Sequence, residues 1–277
     1  MKKTVIFFLV FYSSLIYAQD CSLKIVKEGK GKTIILLPGF SCPGDVWNES
    51  ISQLGEGYEF IKVSYPGFNG IDPIEIPWYG TIKSELSQFI TESNLSSITI
   101  MGHSMGGMLA MDLAAEHSDK VDKLILVDAL PCIRLVMMPD VNVEYITFDN
   151  PYNNNMIHMS DSLFRNLANS MAQGMTNNKD KTGLLAQWII ESDRKTYVYG
   201  FTELLKLDLR DKLTDIKAKT LILSADFIGK DVILKNLESQ YEKLENKEIK
   251  IAESSMHFIM YDQPEWFNNE ISTFLKL

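Results

Sequence analysis

The chain reads as an α/β three-layer sandwich: a mostly parallel sheet, covered on both faces, with a helical cap inserted between two of its strands. Three observations carry that reading. Short apolar, β-branched runs recur along the chain with helical patterns between them. The runs are continuous rather than alternating, as strands buried on both faces require. The alternation then stops between Pro131 and Asp215 and resumes afterwards.

The elements follow in order. Residues 22–27 suggest an antiparallel edge strand. Residues 33–37 (TIILL) form a strand closed by Pro38-Gly39, and 59–64 (EFIKVS) one closed by Tyr65-Pro66-Gly67. ITIMG (98–102), LILVD (124–128), TLILS (220–224) and KEIKIA (247–252) complete a sheet of about seven strands. Helical periodicity occupies about 44–54, 80–93, 104–117, 232–244 and 264–276. The last begins Asp262-Gln263-Pro264-Glu265, with proline early and an acid in the first turn. Between 131 and 215 an Asn-rich polar stretch at 149–155 precedes amphipathic patterns near 160–174, 180–191 and 194–207. A structureless loop of that length would be improbable in a compact domain, so 131–215 is expected to be a helical cap on a core made of 19–130 and 216–277. Six of the thirteen methionines fall in it: Met137, Met138, Met156, Met159, Met171 and Met175. Flexible thioethers there either fill an irregular core or offer an adaptable surface over a pocket.

Composition bounds the rest. With 277 residues, 45% of them hydrophobic, the chain can bury a substantial core. A net charge of −9, with no basic run interleaved with aromatics, argues against a nucleic-acid partner. Met1-Lys2-Lys3 followed by the apolar run to Tyr17 has the plan of a secretory signal over residues 1–18, and the run is short for a membrane span. A periplasmic or secreted protein is therefore expected, with no transmembrane segment once the signal is removed. Lipid attachment at Cys21 is set aside, because Asp20 stands where a small residue is wanted. An oxidising compartment could join Cys42 to Cys132, although two buried thiols fit equally. No CxxC spacing occurs, and four scattered histidines build no metal cluster.

Gly102-His103-Ser104-Met105-Gly106 is the sharpest signal. Strand, abrupt turn and apolar helix around G-x-S-x-G make a nucleophile elbow. Ser104 would occupy a strained turn that lifts its hydroxyl above the sheet, while the helix starting beside it aims free N–H groups at a developing oxyanion. A serine needs a base. Among the four histidines, His257 follows the last strand and precedes the C-terminal helix, which is the chain order such a site uses; His103 sits inside the elbow and is read as structural.

Residues 33–129 and 216–277 resemble the α/β-hydrolase fold superfamily, through LLPGF (36–40), SYPGFNG (64–70), GHSMGG (102–107), LILVDALP (124–131), IKAKTLIL (216–223) and HFIMYDQPEWF (257–267). The resemblance implies a capped, esterase-like serine hydrolase with 131–215 at the cap position. It implies an oxyanion hole made by the backbone N–H groups of Phe40 and Met105, although the usual His-Gly of that loop is Pro38-Gly39 here. The acid stays open among Asp231, beyond a slightly lengthened loop; Asp226, close behind the strand; and Asp128, at the end of the other strand. The expected activity is cofactor-free hydrolysis of a small-molecule carboxylic ester through an acyl-enzyme. The same triad could serve an amidase, a peptidase or an acyltransferase, and a non-catalytic binding protein could use the same scaffold.

Overall fold

In a computed structural model, residues 14–15 and 21–276 are described. The leader expected over residues 1–18 lies outside them, apart from the pair at β1 (Ser14–Leu15). The strands that follow are β2 (Lys24–Gly29), β3 (Gly31–Leu37), β4 (Gly57–Ser64), β5 (Ile98–His103), β6 (Val121–Val127), β7 (Lys219–Ala225) and β8 (Lys247–Ala252). They form one sheet in the order β1-β2-β4-β3-β5-β6-β7-β8. β2 runs antiparallel to β4, and every pairing from β4 to β8 is parallel.

Each central strand is apolar throughout because it serves two cores. Along β3, Ile35 and Leu37 join one core while Ile34 and Leu36 join the other; along β6, Leu124 and Leu126 oppose Ile125 and Val127 in the same way. This is the two-residue strand period with both faces covered. One layer holds α2 (Trp78–Glu92), α3 (Met105–Glu116) and α9 (Lys230–Gln240); the other holds α1 (Asn48–Leu54) and, from the chain's end, the last helix, Pro264–Lys276.

After β6 the chain leaves the sheet until β7. The excursion contains α4 (Arg134–Met137), α5 (Pro151–His158), α6 (Asp161–Gln173), α7 (Lys179–Ile190) and α8 (Arg194–Lys206). The three longest match the three amphipathic patterns of the sequence. α5 was masked by its polarity: Asn150 accepts the Asn153 N–H as an N-cap, Pro151 opens the helix, and Asn153 is buried, donating to Thr202 Oγ1 and the Phe148 carbonyl. α6, α7 and α8 are each capped by the residue before them, Ser160, Asn178 and Asp193. The single turn α10 (Ile259–Asp262) and α11 (Pro264–Lys276) close the chain. Among the described residues no helix is long and apolar enough to cross a membrane.

Candidate active site

The site collects at the C-terminal ends of the parallel strands. Ser104 stands between β5 and α3 at φ 54°, ψ −121°, a backbone region costly for a side-chain-bearing residue. Glycines make the turn possible. A methyl group on Gly102 would come within 2.2 Å of the Gly106 carbonyl oxygen, and one on Gly106 within 2.2 Å of the Leu37 carbonyl oxygen. The turn is tied to the sheet by Ser104 N–H donating to the Val127 carbonyl at 2.9 Å.

Asp128 follows β6 at φ 43°. Its carboxylate accepts three hydrogen bonds: Ala225 N–H at 3.0 Å, Ser224 Oγ at 3.3 Å, and His257 Nδ1 at 2.6 Å. Burial alone would raise its pKa, but the hydrogen bond and charge of His257 and the Ala225 N–H outweigh it and hold the carboxyl below its ordinary value. An ionised acceptor at Nδ1 fixes the imidazole tautomer, leaving Nε2 as the basic nitrogen. The His257 side chain is about 30% exposed, and it lines the same cavity as Ser104.

The other proposed acids sit elsewhere. Asp231 is the second residue of α9, exposed, and among the described residues makes no hydrogen bond to His257. The lengthened loop after β7 is taken up by the start of α9, which carries Asp231 away from the histidine. Asp226 instead accepts Ser255 N–H at 3.3 Å, two residues ahead of His257.

His103 is fully buried, its ring 4.5 Å from that of His257. Its Nε2–H donates to the His257 carbonyl at 3.0 Å, while Nδ1 has no partner. Burial first, and then the neighbouring His257, push its pKa down to about 3, so it stays neutral. Its position inside the elbow motif was visible in the sequence; its bond to the backbone of a residue 154 positions away was not.

Phe40 follows Gly39 on the loop after β3. Its ring is surrounded by Phe68 at 4.9 Å, Tyr197 at 5.4 Å, Trp78 at 5.7 Å and Phe201 at 5.8 Å, which fixes the loop. Met105 is the first residue of α3, where a helix leaves its N–H groups without intrahelical acceptors.

The cavity is about 120 Å3. Gly39, Ser104 and His257 form its floor; Met171, Met175, Leu185, Trp188, Ile189 and Tyr197, all from the excursion between β6 and β7, supply the apolar wall. Cys42 also lines it, as a free thiol whose pKa burial raises. Cys132 is buried too and unpaired, its backbone N–H held by Gln240, so the considered Cys42–Cys132 bridge does not form. Among the described residues no group of three or more His, Cys, Asp or Glu side chains could hold a metal ion.

Comparison with known proteins agrees with this architecture. Residues 32–169 match the family model described as alpha/beta hydrolase fold. The chain is 23% identical over 261 residues, 88% of its length and 93% of the relative's, to a putative carbamate hydrolase RutD of Rhizobium rhizogenes. It is 26% identical over 211 residues, 70% of its length and 76% of the relative's, to a pimeloyl-[acyl-carrier protein] methyl ester esterase of Aeromonas hydrophila. Its fold superposes on an esterase from Exiguobacterium antarcticum with a TM-score of 0.77 at 21% identity, covering 92% of this chain and 96% of that one. Strand order, elbow and family match together make this chain a member of the α/β-hydrolase superfamily, whose relatives here are named as hydrolases and esterases.

Proposed function

We propose that the protein is a serine hydrolase that cleaves a carboxylic ester through Ser104, His257 and Asp128. The observation that carries this is the 2.6 Å bond from His257 Nδ1 to Asp128, with Ser104 on the floor of the same cavity. In this reading His257 Nε2 takes the Ser104 proton as Oγ attacks the substrate carbonyl carbon. The N–H groups of Phe40 and Met105 hold the resulting oxyanion, and Asp128 stabilises the imidazolium. His257 then delivers that proton to the departing alkoxide as its C–O bond breaks, leaving an acyl-enzyme. Water enters, loses a proton to Nε2, attacks the acyl carbon, and Ser104 leaves with the proton restored.

The wall supports an uncharged, short acyl group. Its side chains are apolar or aromatic, and about 120 Å3 is less than the roughly 150 Å3 known to admit benzene in an apolar cavity. The residues between β6 and β7 act as the cap in this reading, and the leader pattern of residues 1–18 supports action outside the cytoplasm. The relative named as a putative carbamate hydrolase keeps a second reading open, in which the same steps cleave a carbamate or amide.

The test is reaction with a fluorophosphonate, read by intact mass. One stoichiometric adduct, lost in Ser104→Ala, is the expected result, followed by an ester-versus-amide panel on the unlabelled wild-type protein. A folded wild-type chain that remains unmodified would overturn the proposal and favour a binding protein on this scaffold.

A further inference from the structure

HFIMYDQPEWF (257–267) carries an acid, Asp262, five residues after His257. The sequence marks it as the start of α11, but it ends α10, the single turn before that helix, and its carboxylate is turned to other work. One oxygen accepts Met256 N–H at 2.7 Å, directly before His257. The other accepts Thr176 Oγ1 at 2.5 Å, Asn177 N–H at 2.9 Å and Asn178 N–H at 3.3 Å, all in the connection between α6 and α7. Thr176 is buried.

Further bonds cross the same seam. Phe258 N–H, directly after His257, donates to the Met175 carbonyl at 3.0 Å, and Asn177 Nδ2 donates to the Ser254 carbonyl at 3.0 Å. The backbone on either side of His257 is thus anchored to residues 175–178, directly at Ser254 and Phe258 and through Asp262 at Met256. Met175 also lines the cavity beside Met171 and Trp188. Lifting the α6–α7 connection would require breaking hydrogen bonds that hold the histidine loop.

We infer that Asp262 is a positioning residue that locks the loop bearing His257 to the α6–α7 connection, so that the general base and the acyl-side wall of the cavity are held as one unit. This rests on the reading of His257 as the base. It implies that the cap does not open at this corner, and that packing changes in the acyl wall reach the rate through the placement of His257. Misplacing a catalytic group by about 1 Å can cost on the order of a hundredfold in rate.

The full mature chain is assayed with p-nitrophenyl acetate and hexanoate, alongside the rate of fluorophosphonate labelling, at a temperature well below each variant's unfolding transition. Asp262→Ala is expected to lower kcat about 10- to 100-fold on both esters, with KM for acetate within about threefold, and to slow labelling in parallel. Thr176→Val keeps the carboxylate but removes a donor, and is expected to lower kcat about fivefold, with Thr176→Ser restoring it. If Asp262→Ala does not fold, the Thr176 pair decides. Folded variants with kcat within twofold of wild type, or a loss confined to KM, would overturn the inference. A wild-type chain that takes no label sinks the catalytic reading itself, whereas a labelled wild type with Asp262→Ala labelling equally fast sinks only the lock.

Discussion

The strand ends and the excursion between β6 and β7 build opposite sides of one cavity by different means. On the floor, side chains are placed by strained backbone: Ser41, Ser104, Asp128 and Ser254, at the ends of four strands, all have positive φ. Across 131–215 no non-glycine residue does. There, regular capped helices present Met171, Leu185, Trp188 and Tyr197 through packing alone. Strain is tolerated where a rigid parallel sheet over-determines it, and chemistry needs that rigidity. An apolar wall needs only volume, which helices and thioethers supply adaptably.

The contrast is broken most sharply at the acid. Asp128→Asn should lower kcat about 10⁴-fold on any ester while leaving the fold intact, because the amide stabilises the wrong histidine tautomer. Asp231→Asn, on the exposed start of α9, should leave kcat within twofold. Comparable losses from both, measured on acetate, would mean that the end of β6 does not supply the acid.

Next comes the wall. Met171→Ala should raise the preference for hexanoate over acetate about tenfold in kcat/KM, since a methylene-sized change in an apolar pocket is worth about 1–3 kcal/mol. An unchanged ratio with reduced kcat would show that this side chain serves the chemistry rather than the pocket.

The floor also answers to pH through His103. Its folded pKa near 3 against about 6.5 unfolded means that the unfolded state binds more protons between those values. That stabilisation is whole above about pH 6.5 and drains away as pH falls toward 3, and the lowered Asp128 adds a loss of the same sign at the acid end. Denaturant unfolding at pH 7 and pH 5 should show wild type losing about 2 kcal/mol more than His103→Gln over that interval. Equal slopes would place the buried histidine outside the stability balance.

The smallest effect belongs to the helices. Gly183 lies inside α7 with open space where a Cβ would stand, so Gly183→Ala should stabilise by about 0.5–1 kcal/mol. A methyl at Gly106 would instead strike the Leu37 carbonyl, and Gly106→Ala should fail to give a folded chain by circular dichroism.

Much of the molecule was legible before any coordinates. Continuous runs such as TIILL and LILVD could only be strands covered twice, and each became one. GHSMGG between a strand and an apolar helix pointed to Ser104, and chain order to His257, and the structure brings the two to one cavity. The Asn-rich stretch hid α5, because its helix is built on caps and a buried asparagine network rather than an apolar stripe. Spacing left Asp226, Asp231 and Asp128 open as partners for the histidine.

Local sequence determined the strands, the helices and the nucleophile turn, since each rests on a pattern spanning fewer than about twenty residues and on steric rules that act within it. Only the tertiary structure decided that Asp128 rather than Asp231 meets His257, that His103 holds the His257 carbonyl, and that Asp262 joins the His257 loop to residues 176–178. Those contacts link residues 84 to 154 positions apart. Angstrom-scale distances between separate strand ends and loops come from how the sheet twists and packs, and no local pattern encodes them.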